Sequence, residues 1–227
     1  MTPIVIMAGG RGLRLHPLTQ KLPKPLLKVG NKPILETIID KCAEQGFKRF
    51  ILCVNHLAEK IESHFGDGLS RGLNITYIRE GDEQLGTAGA LRFFKPMNRP
   101  FIVHNADIIA DVDYNDLMEA HGKNGYEATA CLALYQHQVP FGVAVTENGR
   151  ITEIKEKPIE NFQVSAGIYV LPPSAPGMIP ENPMDMPSLL ERMSVGSYPI
   201  EGFWADVGHF ENLAVANVNW SLRLAHG

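Results

Sequence analysis

Cysteine is scarce in this 227-residue sequence, which contains three. Cys42, Cys53 and Cys131 are far apart, form no C-x-x-C pair and are odd in number, which argues against a disulfide framework and a zinc site. Each lies among apolar residues, which predicts buried free thiols in a reducing compartment. The eight histidines form no HExxH or HxH pattern. His56 and His104 fall near predicted strand ends by the expected cleft, and a surface or packing role is favoured for both over contact with a ligand.

Excess positive charge and long apolar stretches are also lacking. The formal net charge is −4, whereas nucleic-acid binders usually carry a basic excess, so no nucleic-acid partner is expected. No stretch approaches the roughly 20 apolar residues of a membrane helix. The first eight residues also lack the basic segment and apolar length of a secretory leader. The sequence therefore predicts a soluble cytoplasmic protein with no membrane partner.

Short β-type runs alternate with helical patterns in the first half of the chain. The patterns predict strands at residues 4–8, 50–54, 75–78 and 101–104, and helices at 34–42, 57–65 and 88–94. This alternation predicts an α/β fold with a Rossmann-like, mostly parallel but mixed central sheet flanked by helices. Ligands bind such sheets at the carboxyl ends of the strands, where the segments after residues 8 and 104 lie.

The second half of the chain is more mixed. Its patterns predict strands at 129–134, 166–171, 198–200 and 203–206, a hairpin over 142–154 with Asn148-Gly149 at the turn, and a closing helix over 210–222. We expect one continuous domain over residues 1–227. Residues 1–110 would form mainly a nucleotide-binding half and residues 111–227 mainly a substrate half, with a cleft between them.

A glycine-rich segment follows the first predicted strand, and residues 8–19 read Ala-Gly-Gly-Arg-Gly-Leu-Arg-Leu-His-Pro-Leu-Thr. Closely spaced glycines let the backbone approach a ligand and offer N–H donors to phosphate. Five cations lie nearby, at Arg11, Arg14, Lys21, Lys24 and Lys28. The second predicted strand has no acidic residue at its end and no Gly-Lys-Ser/Thr occurs, so dinucleotide and Walker-type sites are disfavoured. The segment predicts a phosphate site of another kind.

Two aspartates are candidate ligands for a hard cation. Asp107 follows the strand predicted at 101–104, and Asp206 lies in an aromatic, apolar run. Mg²⁺ typically takes one or two carboxylates together with substrate phosphate oxygens, which two aspartates from distant parts of the chain could supply. When only the residues around Asp107 are considered, this aspartate could equally be the N-cap of a following helix.

Two further segments are weak signals by themselves. Residues 155–158, Lys-Glu-Lys-Pro, are typical of a solvated turn at the hairpin exit. Residues 83–90, Glu-Gln-Leu-Gly-Thr-Ala-Gly-Ala, contain small residues that would let a helix start close to a planar ligand.

Together and in this order, these segments resemble the sugar nucleotidyltransferases, or nucleoside-diphosphate-sugar pyrophosphorylases, and in particular the mannose-1-phosphate guanylyltransferase-like enzymes. The resemblance covers nearly the whole chain. It rests on residues 7–19, 23–26 (Pro-Lys-Pro-Leu), 33–36, 85–90, Asp107, 156–158 (Glu-Lys-Pro), 166–169 (Ala-Gly-Ile-Tyr) and 206–208 (Asp-Val-Gly).

The resemblance implies a glycosyltransferase-A-like nucleotidyltransferase fold and an activity. That activity is Mg²⁺-dependent nucleotidyl transfer from a nucleoside triphosphate, with GTP favoured, to a sugar 1-phosphate, giving a nucleotide sugar and pyrophosphate for surface polysaccharide biosynthesis. Both substrates are small molecules. Family members are often dimeric or larger, which leaves a homo-oligomer open.

The resemblance also implies roles for matching residues. The nucleotide phosphates would be held by Ala8, Gly9, Gly10, Gly12 and Arg14, with help from Arg11. Lys24 would neutralise charge at the reacting phosphates, and Gly86 and Thr87 would face the base and ribose. The Mg²⁺ ligands would be Asp107 and Asp206. The sugar phosphate would be bound by Gly142, Glu156 and Lys157.

Three positions depart from the family pattern. Leu13 replaces a threonine, Ala106 a glycine, and Ser165 an asparagine that often precedes Ala-Gly-Ile-Tyr. None removes a charged candidate catalytic residue. Two alternatives remain: a non-catalytic nucleotide-sugar-binding regulatory protein on the same fold, and a glycosyltransferase. Two observations argue against the glycosyltransferase. One is the glycine-rich segment. The other is that the formal match to the Asp-x-Asp metal motif of glycosyltransferases, at 111–113, is typical of the start of a helix.

Overall fold

The computed structural model describes residues 2–81, 83–208, 212–214 and 216. The strands are β1 (Ile4–Ala8), β2 (Lys28–Val29), β3 (Lys32–Pro33), β4 (Arg49–Val54), β5 (Asn74–Arg79), β6 (Phe101–Asn105), β7 (Ile108–Ala110), β8 (Ala128–Gln138), β9 (Gly142–Glu147), β10 (Arg150–Glu156), β11 (Ile159–Leu171), β12 (Val195–Pro199) and β13 (Trp204–Asp206). The α-helices are α1 (Ile34–Glu44), α2 (Ala58–Phe65), α3 (Tyr114–Asn124) and α4 (Met186–Leu190).

Seven strands form one central sheet in the order β12-β8-β11-β6-β1-β4-β5. The β6-β1-β4-β5 block is parallel throughout, and β12 is parallel to β8. β11 runs antiparallel to both of its neighbours, β6 and β8, so the sheet is mixed. The α/β fold with a mixed central sheet is thereby confirmed. Strands of both expected halves share this sheet, and the division into halves stays a prediction.

The sheet has a packed layer on each face, because successive strand residues point to opposite sides. Ile4 and Ile6 of β1 pack into the layer that contains α1 and α2, whereas Val5 packs into the other layer. That second layer includes Leu91 and Leu189. A strand buried on both faces reads as a continuous apolar run, which is why residues 4–8 show no polar alternation.

The helices follow local signals of different strength. α1 begins after Pro33 and buries an apolar face at helical spacing, as predicted. The start of α3 agrees with the helix start expected at 111–113, but its extent was not predicted, because its sequence is largely polar and buries few side chains. Asp113 caps it, since its carboxylate accepts hydrogen bonds from the N–H groups of Asn115 (3.0 Å) and Asp116 (2.9 Å).

Two expectations differ from the structure, and one falls outside it. The helix predicted at 88–94 is a 3-10 helix over Gly89–Phe93. The segment after Asp107 is the strand β7, so the helix-cap alternative for that residue is wrong. The closing helix predicted at 210–222 lies largely outside the described residues. Within the described ranges, no helix has both the length and the apolar character that crossing a membrane requires.

The hairpin predicted over 142–154 is present and belongs to a longer two-stranded ribbon. β8 pairs antiparallel with β11, and β9 with β10. Backbone hydrogen bonds join the two ladders, from Val139 N to Pro158 O (2.9 Å) and from Lys157 N to Phe141 O (3.2 Å). At its tip, Asn148 and Gly149 both have positive φ (49° and 79°), the backbone of a type I′ turn.

Candidate active site

The site begins where parallel strands end side by side. Ala8 of β1 is in register with Val54 of β4, which is in register with Arg79 of β5. On the other side of β1, the N–H of Ala106 donates to the carbonyl of Met7 (3.1 Å). The glycine-rich segment after β1 and the turn after β6 therefore emerge next to each other, as the sequence predicted.

A buried threonine hydroxyl holds the backbone of the glycine-rich segment by a hydrogen bond. Thr19 is fully buried, and its Oγ1 donates to the carbonyl of Gly12 (2.8 Å). Its own carbonyl contacts Nε2 of His56 (3.3 Å). On the opposite side, a Cβ added to Gly9 would collide with the carboxylate of Glu80, so a larger residue at this position would require the Glu80 side chain to move. Burial raises the pKa of the Glu80 carboxyl.

Two short strands bring the candidate metal ligands together. β7 pairs antiparallel with β13, and Asp206 is in register with Ile108. The N–H of Val207 donates to the carbonyl of Asp107 (2.9 Å), so the two aspartates are adjacent although 99 positions separate them. Lys24 forms an ion pair with Asp107, and its side chain is only 13% exposed. A largely buried cation thus neutralises part of this acidic cluster.

Three cavities meet at Asp107, which lines all of them. Cavity I has a volume of about 250 Å³ and is lined by Met7, Ala8, Gly10, Gly12, Leu13, Arg14, Lys24, Pro25, Ala106, Asp107, Asp206 and Gly208. Cavity II has about 360 Å³ and is lined by Met7, Gly9, Gly10, Arg11, Leu13, Asn55, Glu80, Glu83, Gln84, Leu85, Gly86, Thr87, Asn105 and Asp107. Cavity III has about 390 Å³ and is lined by Asn105, Asp107, Ile108, Tyr135, Val164, Ser165, Gly167, Tyr169, Pro187, Trp204 and Asp206.

The outer wall of cavity II is fixed by contacts to a remote segment. The N–H of Thr87 donates to the carboxylate of Asp185 (2.9 Å), and its hydroxyl accepts from the N–H of Met186 (2.8 Å). Gly86 packs directly against this segment, since an added Cβ would lie 2.5 Å from the carbonyl oxygen of Met184. The wall that faces the glycine-rich segment is therefore rigid.

Cavity III has an aromatic and polar lining. The hydroxyls of Ser165 and Tyr169 are hydrogen bonded to each other (2.8 Å), and the indole N–H of Trp204 donates to the carbonyl of Ala166 (3.0 Å). Among the described residues that line this cavity, the charged groups are Asp107 and Asp206, and none is a lysine or arginine. The cavity is suited to a hydroxyl-rich molecule but supplies no cation for a phosphate.

The paired aspartates fit a divalent cation that is shared with a substrate. The described residues contain no cluster of three or more histidine, cysteine, aspartate or glutamate side chains able to hold a metal ion alone. Two carboxylates at the junction of the cavities match Mg²⁺, which keeps several waters and completes its shell with phosphate oxygens. The donor set is therefore compatible with a metal that binds together with substrate.

Comparison with known proteins identifies the family. A family model described as "Nucleotidyl transferase" matches residues 4–221. The chain belongs to the nucleotidyl transferase family. It is 38% identical over 218 residues to a mannose-1-phosphate guanyltransferase from Yarrowia lipolytica, and 33% identical over 220 residues to the catalytic subunit beta of mannose-1-phosphate guanylyltransferase from Drosophila melanogaster. These matches cover 90% and 91% of this chain, but only 60% and 59% of those relatives.

Solved structures share the fold of this chain. A Bacillus anthracis protein described as a glucose-1-phosphate thymidylyltransferase, in complex with a sucrose, superposes with a TM-score of 0.77 at 26% identity, covering 96% of this chain and 95% of that one. HddC from Yersinia pseudotuberculosis, complexed with GMP-PN, gives a TM-score of 0.74 at 22% identity, covering 97% of this chain and 100% of that one. At 22% identity, the similarity to HddC shows only that the two chains share a fold.

In this nucleotidyl transferase, most of the predicted site residues lie around the three cavities. These are Ala8, Gly9, Gly10, Arg11, Gly12, Arg14, Lys24, Gly86, Thr87, Asp107 and Asp206. The other three, Gly142, Glu156 and Lys157, line none of the three cavities. They lie together on the β9-β10 hairpin, where β9 and β10 are exposed along their whole length. Their expected role in sugar-phosphate binding stays a prediction.

Several residues of the cavities were not predicted. Glu80 follows the end of β5, and the rule that singled out Asp107, a carboxylate just past a buried strand, could have found it. Asn105 ends β6 and lines cavities II and III. Trp204 and Tyr135 reach cavity III only through tertiary pairing, and no sequence signal marks them.

His104 and the three cysteines are all buried. His104 is buried and lies outside the linings of the three cavities, and desolvation lowers its pKa to about 4. This agrees with a packing role. All three cysteines are buried and free, as predicted. Burial raises the pKa of Cys42 and of Cys131 to about 12, so their thiols are not reactive nucleophiles.

Proposed function

We propose that this protein transfers a nucleotidyl group from a nucleoside triphosphate to a sugar 1-phosphate, releasing pyrophosphate. The observation that carries the proposal is the position of Asp107. It lies at the junction of the three cavities, beside Lys24 and next to Asp206. A glycine-lined cavity on one side and an aromatic, polar cavity on the other provide room for two substrates that meet at this carboxylate.

The reaction needs charge neutralisation more than it needs a base. A sugar phosphate has a second pKa near 6 and is mostly a dianion at pH 7, so its oxygen can attack the α-phosphorus directly. The new P–O bond forms as the bond from the α-phosphorus to the pyrophosphate oxygen breaks. The obstacle is the approach of two polyanions, which Arg14 and Lys24 in cavity I offset electrostatically.

Each substrate would occupy a distinct part of the site. Cavity I and the adjoining glycines would hold the triphosphate, because closely spaced N–H donors and two cations line it. Cavity II, with Gly86 and Thr87, would take the base and ribose. Cavity III would take the sugar, whose hydroxyls match the Ser165–Tyr169 pair.

Mg²⁺ is the proposed cofactor, and Asp107 and Asp206 are its proposed ligands. When bound, the ion would supply positive charge to the phosphate oxygens, which Mg²⁺ prefers together with one or two carboxylates. Their backbones are brought together by the β7-β13 ladder and by the hydrogen bond from Val207 N to Asp107 O.

GTP is the favoured nucleotide and a hexose 1-phosphate such as mannose 1-phosphate the favoured acceptor. Support comes from curated relatives at 32–38% identity that are named mannose-1-phosphate guanyltransferases or guanylyltransferases. This chain spans about 60% of the length of those relatives. That it has the complete activity of the longer relatives is therefore part of the proposal.

The test is pyrophosphate release in the presence of Mg²⁺, measured for the four common nucleoside triphosphates against a panel of sugar 1-phosphates. Release that requires one nucleotide and one sugar phosphate is expected, with equimolar nucleotide sugar formed. Tight binding of nucleotide sugars without release for any pair would contradict the proposal and favour a non-catalytic binding protein.

A further inference from the structure

A further cavity, which we name cavity IV, lies on the face of the sheet that is turned away from α1 and α2. It has a volume of about 320 Å³, within the range of about 300–1,000 Å³ that small-molecule sites occupy. Its floor is formed by Ile51 of β4 and by Thr76 and Ile78 of β5, and its wall by residues 93–98, at and after the end of the 3-10 helix. β5 is the last strand of the sheet, so the cavity lies at a sheet edge. No described residue lines both cavity IV and one of cavities I to III.

The inner part of cavity IV is apolar, and its wall is anchored. Ile51 is buried, and Ile78 and Met97 pack against the same apolar layer. The N–H of Met97 donates to the carbonyl of Pro173 (3.1 Å), which ties the wall to the body of the protein. Phe93, in contrast, is 45% exposed although it lines the cavity. An exposed ring beside an apolar floor is suited to a flat ring of a ligand, because offset or edge-on contacts between aromatic rings are favourable.

Two cations line cavity IV without an acidic partner. Arg49 begins β4 and Lys95 lies in the wall, and both residues are exposed. Within the part of the chain that the structure describes, neither side chain forms an ion pair or a hydrogen bond, and no aspartate or glutamate lines the cavity. Residues 92–99 contain three cations and no acidic residue, in a chain whose formal net charge is −4. The cavity therefore presents a local positive charge to a ligand.

These features specify the chemistry of a ligand for cavity IV. Guanidinium and ammonium groups bind phosphate, and the exposed ring of Phe93 favours an aromatic group. An uncharged ring would leave both cations without a partner, whereas a small inorganic anion would leave the apolar floor in contact with water. An aromatic phosphate, of which a nucleoside monophosphate is one example, satisfies both parts of the cavity.

Side-chain contacts connect cavity IV to cavity II. The guanidinium of Arg92 lies over the ring of Phe93, with Cζ 4.9 Å from the ring centre. The same guanidinium forms an ion pair with Glu83 (3.3 Å), which lines cavity II. The two cavities also share β5, because Ile78 lines cavity IV and Glu80, two positions or about 7 Å further on, lines cavity II. A cation–π contact depends on the position of the ring, so a ligand against Phe93 would act on the ion pair that borders cavity II.

We propose that cavity IV is a second ligand site, which binds an aromatic phosphate and thereby changes the affinity of cavity II for nucleotide. Arg49 and Lys95 hold the phosphate, and the ring of the ligand lies against Phe93. The contacts of Arg92 with Phe93 and Glu83 couple the two cavities. The binding of a ligand in cavity IV does not depend on the proposed function, whereas its effect on nucleotide affinity rests on it.

The first test is the binding of 4-methylumbelliferyl phosphate, a fluorescent aromatic phosphate, followed by anisotropy with GTP in excess to occupy the nucleotide site. Arg49→Gln removes one proposed phosphate contact. Arg150→Gln is the matched control, because both arginines are exposed and each is the first residue of a strand. The wild type and Arg150→Gln are expected to bind the probe equally, and Arg49→Gln at least about tenfold more weakly, since a charge-assisted contact is lost. No binding by the wild type, or equal affinity of all three proteins, would overturn the proposal.

The second test locates the probe and separates its ring from its charge. Thr76→Trp places an indole in cavity IV, and Thr152→Trp, at an exposed position of β10, is the control. Thr76→Trp should abolish probe binding at unchanged stability to urea, whereas Thr152→Trp should not. Phenyl phosphate should displace the probe at least about tenfold better than inorganic phosphate does. Binding that survives Thr76→Trp would show that the probe is outside cavity IV, and equal displacement would show that the ring makes no contact; either result contradicts the proposal.

The third test measures the coupling between the two cavities. The Kd of GTP is expected to change at least about fivefold when the probe is saturating, and GTP should change the Kd of the probe by the same factor. Glu83→Gln breaks the ion pair with Arg92 and should bring this factor close to one. A factor of one in the wild type, or an unchanged factor in Glu83→Gln, would overturn the coupling while the site itself stands. If the protein binds no GTP, the proposed function fails, and the first two tests still decide whether cavity IV is a ligand site.

Discussion

Replacing Gly86 by alanine tests whether the wall of cavity II is as rigid as its contacts indicate. Gly86 has a φ of +79°, and an added Cβ would lie 2.5 Å from the carbonyl oxygen and 2.7 Å from the carbonyl carbon of Met184. Met184 cannot move aside cheaply. Its N–H donates to Leu85 O (2.8 Å), and its carbonyl accepts from the N–H of Ala88 (3.0 Å).

The expected cost has two parts. Placing a Cβ in the left-handed region costs roughly 1–2 kcal/mol. Forcing the Met184 backbone away adds about 1–3 kcal/mol, the usual cost of overpacking a fixed site. Gly125→Ala is the matched control, because Gly125 has a similar φ of +69° with nothing within 4 Å of an added Cβ. The control should show only the first part.

The measurement is urea unfolding of both variants at one protein concentration, together with the KM for the nucleoside triphosphate. Gly86→Ala should lose at least about 1 kcal/mol more of the free energy of unfolding than Gly125→Ala, and its KM should rise because cavity II is deformed. Equal losses in the two variants would refute the reasoning, since they would mean that the wall yields freely.

Two further predictions concern buried polar side chains. Thr19→Val removes the hydrogen bond to the Gly12 carbonyl, and should cost about 1–2 kcal/mol in denaturant unfolding and raise the KM for the triphosphate; an unchanged KM would show that this brace does not shape the site. The folded-state pKa of His104, about 4, is below its unfolded value near 6.5, so its contribution to stability is present above pH 6.5 and is lost as the pH falls toward 4. From pH 7 to pH 4 the wild type should therefore lose about 3 kcal/mol more than His104→Asn in pH-dependent unfolding, whereas parallel curves would contradict this origin.

The sequence predicted the strands of the parallel block well, because strands buried on both faces are continuous apolar runs such as residues 4–8. It predicted the hairpin from Asn148-Gly149, since the type I′ turn has a strong local requirement. It indicated the start of α3 at 111–113 but not its extent, since the polar residues of this helix carry little helical periodicity. It did not show that 88–94 forms a tighter 3-10 helix, where tertiary packing of buried residues outweighs local propensity.

The site was predictable in its parts but not in its assembly. Glycines and cations after β1, and Asp107 after β6, could be recognised because the ends of parallel strands are favoured ligand positions. The adjacency of Asp206 depends on the pairing of β7 with β13, two three-residue strands that no local pattern specifies. That Lys157 lines none of the three cavities could likewise not be derived from its local sequence.

The measurement that tests the central claim most directly is the rate of pyrophosphate and nucleotide-sugar formation by Asp107→Asn with the best substrate pair. Glu119→Gln, which removes the same charge at an exposed position of α3, is the control. Because Asp107 lies at the junction of all three cavities and is a proposed ligand of the cation that offsets transition-state charge, its loss should lower the rate at least about 100-fold. A near-normal rate for Asp107→Asn would contradict the account.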